Sequence, residues 1–208
     1  KRLFDQEFVE TNTDLPFLVR VDTLQPLRPD EVIAGFVEPA LKSIQFLKKG
    51  EKAPSGLKNA GQFAPEDMRD QFRSYVVRDS KTQKLVAVSR DEFGEAMSNK
   101  KVSPDLRAAF TVKLLNGKSV RVRSIFQMTE EYLNKNFTPE STSKITGVPK
   151  SAIISLATQI AANREKTLFA CGMGPNQFFN SDLKDRAIFL VAALTRNVGF
   201  PGGNVGSY

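Results

Sequence analysis

The stretch that decides the fold is residues 166–208, KTLFACGMGPNQFFNSDLKDRAIFLVAALTRNVGFPGGNVGSY. It opens with an all-apolar run, Thr167–Cys171, short enough to be one buried strand. A glycine turn follows at Gly172–Gln177, then a polar loop. Residues 187–194 are almost wholly apolar and predict a helix covering the strand. The segment ends in a second glycine-rich loop, Arg196–Ser207. An amphipathic helix precedes the strand, with Ile153, Leu156, Ala157 and Ile160 spaced three or four apart. That spacing predicts a buried stripe. Helix, apolar strand and apolar helix in this order are the pattern of a parallel α/β sheet.

Upstream, Thr138 suits an N-cap and Pro139 a first helical position, and Gly147-Val148-Pro149 separates two helices within residues 137–164. Phe110–Leu114 and Ser119–Ser124 alternate in polarity around Asn116-Gly117, a strong hairpin signal because both turn positions tolerate positive φ. Val112, Leu114, Val120 and Val122 are expected on the covered face and the lysines and arginines on the other. Tyr75–Arg78 and Lys84–Val88 predict a second hairpin across Asp79–Gln83, and a helix is expected from about Ile125 to Asn134. Residues 50–70, broken by Gly50, Pro54, Gly56, Gly61 and Pro65, read as a long loop. Near the start, Lys1–Glu10 has helical spacing, and Pro16 delays the next strand to Phe17–Val21.

The fold class is therefore α/β: a parallel-sheet core flanked by helices, with a β-hairpin insert. The expected division is an α/β segment at 1–35, loop and hairpin insert at 36–124, and a second α/β segment at 125–208. Starting without methionine and stopping after a glycine loop, the sequence is expected to be an internal piece of a larger multidomain subunit.

The chain has 208 residues, 40% of them hydrophobic and 25% charged, as in an ordinary globular protein. No apolar run reaches the length of a membrane span. One cysteine and no histidine leave no metal-ligand set in this stretch and no Ser-His-Asp arrangement. Cys171 reads as a small buried hydrophobe. Asp182 and Asp185, beside Lys184 and Arg186, read as surface pairs. The net charge is +7, with lysines crowded in residues 42–58. A solvated loop is the plainer reading of that run, and a nucleic-acid face or anion-attracting field the sharper one.

Three stretches could carry function. Gly172, Gly174, Asn176 and Gln177 follow a strand's carboxyl end, where open α/β sheets bind ligands. Here the third glycine of a dinucleotide fingerprint is missing, and the plain alternative is a tight turn. The second stretch, with Asn197, Gly199, Gly202, Gly203 and Asn204, suits a backbone laid against a phosphate-bearing cofactor, or an ordinary connection. The third, residues 138–164, has the outline of a basic helix-turn-helix that would read DNA through Lys150, Ser151, Ser155 and Gln159.

Taken together, TDLPFLVR (13–20), VKLLNGKSVRVRSIF (112–126), FTPESTSKITGVPKSAIISLA (137–157) and residues 172–208 resemble the molybdopterin oxidoreductases of the dimethyl sulfoxide reductase family. The likeness is greatest to the catalytic alpha subunits of nitrate reductases and nitrite oxidoreductases, with perchlorate and selenate reductases as near relatives. It covers most of the chain, residues 36–72 least. The resemblance implies an oxidoreductase that interconverts nitrite and nitrate by oxygen-atom transfer at a molybdenum bis(molybdopterin guanine dinucleotide) centre. It implies an iron–sulfur cluster and metal ligands held outside this stretch, so the piece alone is expected to be inactive. The implied partners are an iron–sulfur electron-transfer subunit, a membrane or haem subunit and a small oxyanion, with no nucleic acid. The implied location is a membrane-associated complex on either the cytoplasmic or the periplasmic side.

In this resemblance Gly172, Gly174 and Asn176 approach the cofactor, Asn197, Gly199, Gly202, Gly203 and Asn204 pack beside the pterin, and Gln177 faces the substrate funnel. Respiratory nitrate reductases commonly carry Asn-His where this chain has Asn176-Gln177. Glutamine hydrogen-bonds an oxyanion but does not titrate near neutral pH, which leaves nitrite oxidation or reduction of another oxyanion, such as perchlorate or selenate, open.

Overall fold

The computed structural model describes residues 3–52, 63–172, 174 and 177–206. The fold is α/β, with helices and strands intermixed along the chain. It forms two compact units: residues 14–128, and residues 1–13 with 129–208.

In the unit 14–128, strand β1 (Leu18–Arg20) follows Pro16, and helix α2 (Pro29–Val32) starts on a proline. Strands β4 (Tyr75–Arg78) and β5 (Leu85–Val88) form one antiparallel hairpin, and β6 (Ala109–Lys113) and β7 (Ser119–Ser124) form the other. Both hairpins lie where the alternation predicts them. Gly117 at the second turn has φ +87°, the left-handed conformation that glycine adopts without strain. Strand β1 adds to β7 antiparallel, Leu18 opposite Ser124, to make a three-stranded sheet in the order β1-β7-β6. Leu114, Val120 and Val122 are buried together with Leu18, Leu27, Val76 and Ala108, while Val112 packs at the margin.

Alternation along β4 sends Val76 into this core and Val77 into a second one, with Phe17, Val88 and Met97. Helix α3 (Glu95–Asn99) supplies Met97. The loop expected over 50–70 is partly ordered structure. Strands β2 (Gln45–Leu47) and β3 (Phe63–Pro65) pair in parallel, and a 3₁₀ helix follows at Glu66–Phe72. The prolines and glycines that mark a loop also permit strands three residues long. Part of the lysine-rich run is likewise tied down: the Asp91 carboxylate accepts from the Lys42 and Ser43 N–H groups and the Ser43 hydroxyl.

The Asp79–Gln83 turn is clamped by one carboxylate. Asp79 is buried and accepts from the Thr82 hydroxyl and from the N–H groups of Thr82, Lys81 and Ser103. Led by the Thr82 hydroxyl, these donors hold its carboxyl down at about 2, because each favours the charged form.

In the other unit, α1 (Gln6–Asn12) is capped by the Asp5 side chain, which accepts from the Phe8 N–H. Helix α4 (Ile125–Asn136) follows β7, and its residues from Thr129 onward belong to this unit. Helix α5 (Pro139–Thr146) has the expected Thr138 cap, accepting from the Ser141 N–H at 3.1 Å, and ends on Gly147 in the left-handed conformation. Helix α6 (Lys150–Ala162) leads to β8 (Leu168–Ala170), then come α7 (Ser181–Leu194) and β9 (Asn204–Gly206). β8 and β9 pair in parallel, so the parallel part of this unit is a two-stranded pair among the described residues.

The stripe expected to be buried on α6 is not buried. Leu156 is 60% exposed, Ala157 is exposed, and Ile153 and Ile160 are half-buried. Leu168 of β8 is also exposed, at 62%. The helical period is right, but periodicity gives the direction of an apolar face and not whether anything covers it.

Candidate functional site

The two glycine loops lie at opposite edges of the β8/β9 pair. Leu168 is opposite Asn204, and Ala170 is opposite Gly206. In a parallel pair both strands begin at the same edge, so residues 197–203 enter β9 beside the start of β8. Gly172 leaves from the end of β8, the carboxyl edge. Helix α7, with 14 residues, returns the chain across a rise of about 21 Å.

At the carboxyl edge Cys171 is buried and Gly172 half-buried. Gly174 is exposed, with open space where a Cβ would stand. Gln177 is exposed, and its N–H donates to the Gly174 carbonyl at 3.4 Å. Asn176 lies outside the described residues. Phe178 and Phe179 follow at 74% and 94% exposure. Asn180, at φ +59°, then turns the chain into α7. The pair Phe178-Phe179 was not singled out in the sequence. Its signal was two adjacent aromatics in a polar loop just before a helix start, where neither has a helical or strand face to share.

The amino-edge loop is occupied with the chain's own packing. Asn197 is fully buried. Its Oδ1 accepts from the Thr167 N–H at 3.1 Å, its Nδ2 donates to Thr195 Oγ1 at 2.9 Å, and its backbone N–H donates to the Ala192 carbonyl at 2.8 Å. One side chain thus ties the end of α7 to the entry of β8. Gly203 lies against the Glu165 main chain, where a Cβ would meet the Glu165 carbonyl oxygen at 2.7 Å. Gly199 and Gly202 have φ +84° and +89° with open space around them. Asn204 begins β9. Arg196 pairs with Glu165 at 2.8 Å and stacks on Phe200 at 5.3 Å. The structure gives Asn197 and Gly203 structural partners within the chain.

On α7, Lys184 pairs with Asp185 at 2.9 Å and Arg186 with Asp182 at 3.6 Å, the surface pairing expected of them. Among the described residues no group of three or more His, Cys, Asp or Glu is placed to hold a metal ion. In the helix-turn-helix outline Lys150 is paired with Glu140.

No family model matches the chain. Curated relatives do. The perchlorate reductase subunit alpha of Dechloromonas aromatica is 29% identical over 208 residues, all of this chain and 21% of that protein. The respiratory nitrate reductase subunit alpha of Haloferax mediterranei is 26% identical over 206 residues, 99% of this chain and 18% of that protein. The dimethyl sulfoxide reductase DmsA of Escherichia coli is 44% identical over 70 residues, 34% of this chain and 8% of that protein.

The chain is similar to reductases of the dimethyl sulfoxide reductase family. The chain spans about a fifth of the length of the two relatives that match it from end to end. All three relatives are named as reductases, and none lends support to the DNA-reading alternative.

Proposed function

We propose that the full-length protein is a catalytic subunit that transfers an oxygen atom to or from a small inorganic oxyanion, with nitrate and nitrite as the couple. The carrying observation is the extent of the matches. The relatives that align with 99–100% of this chain are named for perchlorate and nitrate, whereas the dimethyl sulfoxide reductase aligns with a third of it. Nitrate is the substrate of the second whole-chain relative, and perchlorate is the alternative that the first supports.

The resemblance implies a molybdenum bis(molybdopterin guanine dinucleotide), which, when bound, supplies the two-electron chemistry of oxygen-atom transfer. The carboxyl edge of β8 suits such a group. Gly174 leaves its main chain open, and Gly172 is half-exposed beside it. In this reading Gly172, Gly174 and Asn176 offer main-chain and amide contacts to the cofactor, and Gln177 offers a neutral hydrogen-bonding amide to the oxyanion. Phe178 and Phe179 exclude water beside them. Asn197, Gly199, Gly202, Gly203 and Asn204 serve as the scaffold that fixes β9 next to β8. Metal ligands and an iron–sulfur cluster come from elsewhere in the subunit. Partner subunits carry the electrons in a membrane-associated complex. Among the described residues no helix is long and apolar enough to cross a membrane.

The test uses the full-length enzyme with nitrate, nitrite, perchlorate and dimethyl sulfoxide as separate substrates. Turnover of nitrate or nitrite with weak dimethyl sulfoxide turnover is expected. Gln177→His should introduce a pH dependence of oxyanion turnover between about pH 5 and 8, with molybdenum content unchanged. Preference for dimethyl sulfoxide would refute the substrate class, and an unaltered pH profile would remove Gln177 from the funnel.

A further inference from the structure

Helix α6 is apolar and uncovered. From Ser151 to Ala162 it carries no charged residue, and none of its residues is buried. A solvated helix carries charge on its outer face, and one that is apolar all round is enclosed. Strand β8 repeats the pattern. Leu168 and Ala170 are exposed on one face, and Phe169 is half-buried on the other. Helix α7 adds Leu183 and Phe189, each more than half exposed.

The backbone makes the same demand. β8 and β9 pair in parallel and form a two-stranded sheet among the described residues. Parallel sheets occur almost only with both faces covered, and two strands are too few to stand alone. Helix α7 joins the two strands as the crossover of a βαβ unit, and a crossover helix covers one face only. The opposite face and the outer edges of the pair require further helices and strands.

We infer that α6 and β8 are an internal packing surface of the full-length subunit: another segment of the same polypeptide extends the β8/β9 pair with a parallel strand and covers Leu156 and Leu168. Two observations choose this occupant. The absence of charge over the length of α6 is the character of a permanent contact, which resembles a domain core cut in half, whereas transient contacts are more polar. The relatives that align with this chain from end to end, α6 and β8 included, contain it as about a fifth of their length. A polypeptide of that size holds ample chain outside these residues to supply the cover.

The test is hydroxyl-radical footprinting of the full-length protein, with oxidation of Leu156 and Leu168 read by mass spectrometry. The urea-unfolded protein sets the intrinsic rate of each residue. Footprinting reads neither turnover nor cofactor content, so its outcome is independent of the oxyanion reading. A close-packed cover excludes solvent and radical together, so both leucines should react at least about tenfold more slowly in the native protein than in the unfolded one. Leucines as exposed as these are in the 208-residue chain would instead react within about twofold of the unfolded rate, since an unfolded chain also shields part of its apolar surface. Native rates in that twofold range would overturn the proposal. So would protection that disappears on dilution to monomer, which assigns the cover to a second copy, or protection that is lost when a co-purifying subunit is removed. Equal protection in the 208-residue chain by itself would overturn it as well, because the cover would then come from these residues.

Discussion

Gly203→Ala separates a packing role from a cofactor role. The added Cβ would stand 2.7 Å from the Glu165 carbonyl oxygen and 2.8 Å from its carbonyl carbon. Both are main-chain atoms, so no rotamer change relieves the contact, and either β9 or the turn before β8 must move. Overpacking of this kind costs about 1–3 kcal/mol, and a main-chain obstacle puts it in the upper half of that range. For a chain of this size each kcal/mol lowers Tm by about 2–4 °C, so a fall of roughly 5–10 °C is expected. Gly199→Ala and Gly202→Ala are the controls. Their Cβ atoms meet nothing within 4 Å, and their cost is only that of holding alanine at positive φ, about 1–2 kcal/mol. Circular dichroism melts of the three variants without cofactor decide it. A Gly203→Ala protein melting within about one degree of the wild type, or above the Gly199→Ala control, would refute the packing argument.

Asn197→Ala should cost about 1–3 kcal/mol, because the half-buried Thr167 N–H loses the acceptor that the buried Asn197 side chain supplies; urea unfolding measures it. Asp79 should make the stability of the unit 14–128 fall in acid. Its carboxyl is held at about 2 in the folded protein, against an ordinary value near 3.9. Its contribution is complete above about pH 4 and is lost as pH falls through about 2. Melting wild type and Asp79→Asn across that range should show the wild type's advantage shrinking as the solution becomes more acid, and a constant difference would contradict the assignment.

What could be read from the residues follows from how local the determining interactions are. The Asn116-Gly117 turn, the Thr138 cap and the Gly147 stop each act within a few positions, and all three are found where the sequence places them. The pairing of β1 with β7 joins segments about a hundred residues apart and leaves no local trace beyond a strand-like run. The exposed stripe of α6 shows the same limit, since apolar spacing cannot report a missing cover. At the candidate site the glycine loops were legible as loops. That Asn197 turns inward to Thr167, and that Gly203 is small because of Glu165, required the register of two strands separated by a whole helix.

The unit built from residues 1–13 and 129–208 has a consequence for synthesis. The Asp5 N–H donates to the Leu194 carbonyl, and Arg164 reaches back to Asp5. Its first helix therefore leaves the ribosome long before the segments that cover it, and must wait unprotected through the translation of everything between. The hairpin unit is continuous in sequence and meets no such delay. A nascent chain should accordingly gain protease resistance in two steps: the hairpin unit first, and the unit with the glycine loops only once β9 has emerged.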